Sequence, residues 1–202
     1  MAVKQERESR AVGRPRKGGR TIDVATIVAA AWRLVDEHGL AKLSTRTLAA
    51  ALDVQSPALY WHVRSKEQLL SLMLEHLLHD SLADDPAGMT WQAWIAHVAR
   101  RQRALLLAHR DSGMIASLAP PTDRLRVELF PRIFRPLVEA GLDDRDASAT
   151  AGALAALVLG WVIYEQRQET LQFVASFHDP EEGFEFALDV LIRGVEAKAQ
   201  RD

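Results

Sequence analysis

The chain has 202 residues, room for a small domain and a larger one, and its net charge of −2 is unevenly spread. Residues 1–66 carry 12 Lys/Arg against six Asp/Glu and the remainder 13 against 21, so a basic head that suits a polyanion sits on an acidic body. A composition that is 48% hydrophobic and 26% charged can bury a core, and the lack of cysteine excludes disulfides, thiolate metal sites and cysteine nucleophiles.

In chain order, residues 1–20 hold seven Lys/Arg, two Glu and a Gly-Arg-Pro-Arg-Lys-Gly-Gly run without an apolar face. They read as a flexible basic arm, either a solubilising tail or a segment lying on phosphates or in the minor groove. No apolar stretch follows, so the start does not read as a secretory signal, and a reducing cytoplasm is the expected location. Val24, Ile27, Val28, Ala31, Leu34 and Val35 then recur at helical spacing, with Gly39 as the stop. Ser44 is a candidate cap for a helix over 45–52. Ser56-Pro57 opens another short helix, with Ser56 as cap and Pro57 at the first helical position. Ser65 with Gln68 resembles a capping box that starts a long helix over 66–82.

The run from Asp84 to Gly88 is the first clear break. Beyond it, helices are expected over 91–109, 122–140, 143–172 and 181–200, with Pro131 and Pro136 kinking or dividing the second of these. No segment alternates as a strand does, so the chain reads as all-α. The apolar stretch 147–163 is too short and too rich in Ala and Gly for a membrane span, and reads as a helix packed inside protein. The expected division is the arm, a helix-turn-helix domain over 21–66, and a helical ligand-binding and dimerisation domain over 67–202.

The informative stretch is 43–66. Two helices of about two turns, joined by Asp53-Val54-Gln55, make an αα corner. Leu48, Leu52, Val54, Leu59 and Val63 can pack against Ile27, Ala31 and Leu34, which leaves Arg46, Gln55, Ser56, Tyr60, His62 and Lys66 outward. Such side chains donate to phosphates or read base edges, and the start of the second helix of such a corner enters the major groove. Gln55, Ser56, Pro57 and Ala58 would then lie closest to the bases. The run Thr45-Arg46, Leu52-Asp53-Val54, Pro57-Ala58-Leu59-Tyr60-Trp61-His62-Val63 and Lys66 closely resembles the signature of the TetR family of transcription regulators. Trp91-Gln92, the run Leu106 to Asp111, Pro121-Thr122 and Gly160 resemble that family's ligand-binding domain.

The resemblance implies a homodimer on double-stranded, palindromic operator DNA, released by a small-molecule effector. Repression is the commoner mode in that family, with activation the alternative. It implies that Thr45 and Tyr60 hold phosphates, that Lys66 anchors the long helix, that Arg46, Gln55, Pro57 and Trp61 face or flank base pairs, and that His62 meets the backbone. Ser56 could instead be mainly a cap and Trp61 mainly packing. Ala58 and Ser56 differ from the tetracycline sensors of the family, so different bases should be read.

Those sensors hold a magnesium–drug chelate through a histidine and a carboxylate, and the corresponding positions here are Ala116 and Tyr164. Neither suits the metal, and Glu165, one residue on, points about 100° away. Other polar positions have become Leu82, Val98 and Pro120. The expected site needs no metal or cofactor and is largely apolar, with Leu82, Val98, Gln102, Ala116, Arg132, Trp161 and Tyr164 as candidate ligand contacts. Ala147, Ala151, Gly152, Ala155, Ala156 and Gly160 on one helix, and Phe184, Leu188, Leu191, Ile192 and Val195 on the last, are candidates for a four-helix dimer interface, or else for core.

Enzyme readings are weak. His109-Arg110-Asp111 is like a kinase catalytic loop, but no Gly-rich phosphate loop accompanies it. Glu75, His76 and His79 lack a further metal ligand at diagnostic spacing. An interaction module with a vestigial helix-turn-helix is disfavoured by Arg46, Tyr60 and Lys66. If the arm lies on DNA, deleting residues 1–20 will lower affinity and flatten the slope of log affinity against log salt, because fewer counterions are released; an unchanged slope would make the arm a bystander.

Overall fold

In the computed structural model, which describes residues 22–84 and 86–200, Asp23 starts the first helix by accepting a hydrogen bond from the Thr26 N–H at 2.8 Å. The basic arm read over 1–20 lies outside the described residues. Helix α1 (Val24–His38) buries Ile27, Val28, Ala31 and Val35 and ends at Gly39, whose φ of +80° suits glycine alone. Ser44 and Thr47 cap α2 (Thr45–Ala51) reciprocally: the Thr47 N–H donates to Ser44 Oγ at 3.1 Å and the Ser44 N–H to Thr47 Oγ1 at 2.9 Å.

Asp53, at φ +52°, turns the chain towards α3 (Ser56–Tyr60). The cap of α3 is Gln55, and Ser56 is already helical. This corrects the expected capping role of Ser56. A first turn leaves its N–H groups unpaired anyway, so Pro57 is tolerated at the second helical position as readily as at the first. Ser65 caps α4 (Lys66–Ser81) by accepting from the Gln68 N–H at 3.2 Å, but the Gln68 carboxamide accepts from the Arg64 N–H at 2.8 Å rather than from Ser65. The box therefore closes one residue early.

The body consists of α5 (Trp91–Leu107), α6 (Ser112–Leu118), α7 (Phe130–Glu139), α8 (Asp144–Gln166), α9 (Gln168–Ala175) and α10 (Pro180–Ala199), and no strand occurs among the described residues. The sequence reading missed α6, a seven-residue helix. The helix expected over 122–140 is present, but it passes through a π turn at Leu125–Leu129 before α7. There the Phe130 N–H reaches back to the Leu125 carbonyl, because Pro131 has no N–H with which to continue an α ladder.

The helix expected over 143–172 stops at Gln166, and Arg167 is extended. The Gln166 amide is drawn into the α5–α6 turn, donating to the His109 carbonyl at 2.7 Å and Ser112 Oγ at 2.9 Å and accepting from the Gly113 N–H at 3.0 Å. Among the described residues, α8 is long and apolar enough to cross a membrane, but Ala147, Ala151, Leu154, Val158 and Val162 are buried on one side of it, where it packs on α5, α7 and α10.

The stripes considered for dimerisation therefore divide. Ala147, Ala151, Phe184 and Leu188 belong to the protein's own core, whereas Gly152, Ala155 and Ala156 are exposed. Gly160, Leu191, Ile192 and Val195 are half-buried.

Gly113 allows α6 to lie against α8: a Cβ there would sit 2.9 Å from Ile163 Cγ1 and 3.3 Å from Gln166 Oε1. Gly113→Ala should destabilise the fold by about 1–3 kcal/mol through overpacking, read as a lower midpoint in urea at unchanged m-value.

Candidate nucleic-acid interface and apolar cavity

Beneath the αα corner, Leu48, Leu59 and Val63 are buried with Ile27 and Ala31, while Leu34, Leu52 and Val54 are half-buried against them. That packing turns the other face outward. Arg46, Gln55, Ser56, Pro57 and Ala58 are exposed there, and Tyr60 and Trp61 show 49% and 88% of their surface. So exposed a Trp61 is not packing. Thr45, His62 and Lys66 are half-buried. Lys66 turns its ammonium inward, donating to the Leu40 carbonyl at 3.1 Å, and so ties the first turn of α4 to the 3-10 turn Leu40–Lys42. Hydrogen bonds from Thr26 hold the Asp23 carboxyl below the usual carboxylate range, with a smaller contribution from His62.

The head is joined to the body by polar groups that spacing alone could not connect. Asp36, on α1, accepts from His109 Nδ1 and from the Arg110 N–H, each at 2.9 Å. Asp111 accepts from the Leu40 N–H at 2.8 Å, and the His109 ring stacks on Trp32 with centroids 4.3 Å apart. The kinase-like tripeptide His109-Arg110-Asp111 is thus a clamp on the end of α1.

In the body, helices line an apolar cavity of about 200 Å³ that is partly open to solvent. Leu74, Leu78 and Leu82 face it from α4 and its C-cap, Gln102 and Leu106 from α5, and Ala116 from α6. Leu125 and Leu129 of the π turn, Phe130 and Ile133 of α7, and Ala155, Val158 and Leu159 of α8 complete it. Of the expected contacts, Leu82, Gln102 and Ala116 come together here. The other four do not line it.

Val98 is fully buried core. Arg132 donates instead to the Leu82 carbonyl, capping the end of α4 with a cation. Trp161 donates to the Pro180 carbonyl at 3.0 Å and packs edge-on to Phe184. Tyr164 points outward, 47% exposed. The neighbouring Glu165 is engaged by Arg103 at 2.6 and 2.9 Å, and Arg103, which also meets Glu181 at 2.5 Å, lies over the Phe184 ring. Those carboxylates, Glu165 foremost, hold the Arg103 guanidinium even more firmly charged than usual.

Among the described residues no three His, Asp or Glu side chains converge on a metal position. Glu75 is buried, accepting from the Thr122 hydroxyl and lying 3.7 Å from Arg124. Asp36→Ala removes two of the clamp's three carboxylate contacts and should cost about 1 kcal/mol, given its partial exposure. Faster amide exchange confined to α1, with α8 unchanged, is the expected signature.

The chain matches the family model for bacterial regulatory proteins, tetR family, over residues 27–73 and that for the tetracyclin repressor-like C-terminal domain over residues 83–173. It is 30% identical over 200 residues to tetracycline repressor protein class G of Vibrio anguillarum, covering 87% of this chain and 94% of that protein. The crystal structure of Mycobacterium smegmatis BioQ is similar with a TM-score of 0.71 at 32% identity, over 87% of this chain and 98% of the other. A structure of BioQ with its double-stranded DNA operator gives a TM-score of 0.69 at 32% identity, over 86% and 98%. The TetR-Q116A protein of Acinetobacter baumannii AYE in complex with minocycline gives 0.75 at 30% identity, over 88% and 98%. The exposed helix-turn-helix face, the helical body with its cavity and these matches along most of the chain have one source: the chain belongs to the TetR family of transcription regulators, DNA-binding proteins with a ligand-binding domain.

Proposed function

We propose that this regulator is a cytoplasmic homodimeric repressor that binds palindromic operator DNA and is released by a small, largely apolar effector held without a metal. The observation that carries the reading is α4. Its first turn is fastened to the DNA-binding head through Lys66 and Leu40, and its last residues face the cavity. Two loop contacts strengthen the connection: Ser71 Oγ donates to the Pro120 carbonyl at 2.8 Å, and Glu75 accepts from the Thr122 hydroxyl. An occupant that displaces the α6–π loop would pull on α4 through both.

In this reading the head spans 21–66 and the body 67–202. Tyr60, Thr45 and His62 position the head on phosphates; Arg46, Gln55, Ser56, Pro57, Ala58 and Trp61 meet or flank bases. The exposed Gly152, Ala155 and Ala156 on α8 allow close approach of a second copy, with α10 beside them. The dimer brings two heads to half-sites roughly 34–36 Å apart. A differential affinity of the effector for the splayed state, worth about 1–3 kcal/mol, is enough for regulation. BioQ has been seen on its operator and the A. baumannii protein with minocycline, which supports DNA binding and the binding of a small molecule.

Titration of the palindromic DNA nearest the gene in mobility-shift assays tests the head. Tyr60→Ala should weaken binding to all sequences about 5- to 10-fold, and Arg46→Ala should relax the preference at the base pair it faces, at a cost of about 1–3 kcal/mol. Gln55→Ala should change which bases are preferred. Parent-like binding by both Tyr60→Ala and Thr45→Ala would remove the head from the DNA. Operator release by an apolar effector should survive EDTA, whereas tight magnesium-dependent tetracycline binding would overturn the metal-free site.

A further inference from the structure

Gln102 is the polar exception in the cavity wall. It lies on α5, is 3% exposed, and its Nε2 donors have no hydrogen-bond partner although the side chain lines the cavity. An amide donor buried without an acceptor is costly, and most buried polar groups are paired. Water is a poor remedy, since an ordered buried water needs two to four polar partners and the rest of this wall is Leu, Ile, Val, Ala and Phe. The missing acceptor is best supplied by whatever fills the cavity.

The charge of that occupant is constrained as well. Among the described residues no cationic side chain lines the cavity. Arg103, next to Gln102, is committed to Glu165 and Glu181, and Arg132, next to Ile133, to the Leu82 carbonyl. A carboxylate placed beside Gln102 would be buried without a counter-ion, at a cost one amide donor does not offset. Size gives the last constraint. A cavity of about 150 Å³ holds benzene, and this one, at about 200 Å³, admits a single ring or short chain with a small substituent.

We infer that the effector is a small, neutral, apolar molecule bearing one carbonyl-type acceptor, which receives its hydrogen bond from the Gln102 amide. This rests on the cavity being the effector site. A ligand lacking the acceptor leaves the donor orphaned, so Gln102 selects among apolar compounds of equal size and shape.

Calorimetric titration of the full-length protein with acetophenone, its carbon isostere α-methylstyrene, and benzoate tests this. Acetophenone should bind about tenfold more tightly than α-methylstyrene, with benzoate weakest, and Gln102→Leu should bring acetophenone and α-methylstyrene to within about twofold of each other. Equal affinities in the parent, a preference for α-methylstyrene or benzoate, or a gap that persists in Gln102→Leu would overturn the inference. Ala116→Trp, which fills the cavity, separates the two levels. If acetophenone and α-methylstyrene bind the parent equally and both are lost in Ala116→Trp, the cavity remains the site and the role of Gln102 falls. If neither binds the parent, or binding survives Ala116→Trp, the cavity reading itself falls.

Discussion

A single unbroken helix must carry one hydrophobic core from the head into the body, and this constraint governs the rest of the molecule. Helix α4 (Lys66–Ser81) contains neither Gly nor Pro and spans roughly 24 Å. Leu69, Leu70 and Met73 are buried on it, and it packs on α1 of the head and on α5 and α6 of the body. Farther along, Leu74, Leu78 and Leu82 form one wall of the cavity. A helix of this length cannot absorb a displacement at one end by bending, because packed elements shift as units. In the proposed switch, motion at the cavity would reach the head as a tilt. The ties of Ser71 to Pro120 and of Glu75 to Thr122 fix α4 to the loop between α6 and the π turn, the part of the wall least supported by long helices.

The second requirement is a joint that can move. The clamp between Asp36 and the His109–Asp111 turn is polar and partly exposed, with side-chain exposures of 31% for His109 and 36% for Asp36. Hydrogen bonds in such a place exchange with water at modest net cost, typically about 1 kcal/mol. An apolar joint of similar extent would hold the head rigidly. The interior of the body is otherwise: Trp94, Ile95, Val98, Leu154 and Phe184 are almost fully buried, and Arg103 is locked between two carboxylates. Stiff body, stiff lever and softer joint are what the proposed ligand switch requires.

The head was legible in the sequence because its determinants are local. The caps Ser44 and Ser65, the stop at Gly39 and the spacing of Leu48, Leu59 and Val63 all act within a turn or two of themselves. Even the cap of α3 was off by one residue only. The body was less legible because its irregularities come from distant partners. The break after α8 follows from Gln166 reaching a turn more than fifty residues away in sequence, and α6 is too short for periodicity to show. The cavity illustrates the same limit. Leu82, Gln102 and Ala116 were found by position, but Val98, Trp161 and Tyr164 are helix residues whose facing depends on how α5 and α8 are rotated in the packed body. The Leu74, Leu78 and Leu82 stripe was a signal that could have been used, since its spacing already gave α4 a second apolar face.

The departure from the tetracycline sensors has an electrostatic logic that extends beyond two missing metal ligands. Glu165 is the only acidic residue in the last turns of α8, and it is consumed by Arg103, whose guanidinium also lies over Phe184. Releasing Glu165 to serve a cation would leave a buried arginine short of a partner, a change that costs more than a surface ion pair returns. The same ion-pair network that stabilises α5 against α8 and α10 therefore keeps carboxylates away from the cavity. With Glu165 engaged and Arg103 and Arg132 paired, the Gln102 amide is the one polar side chain lining that space among the described residues. On the proposed reading, a site of that kind would discriminate by shape and one hydrogen bond.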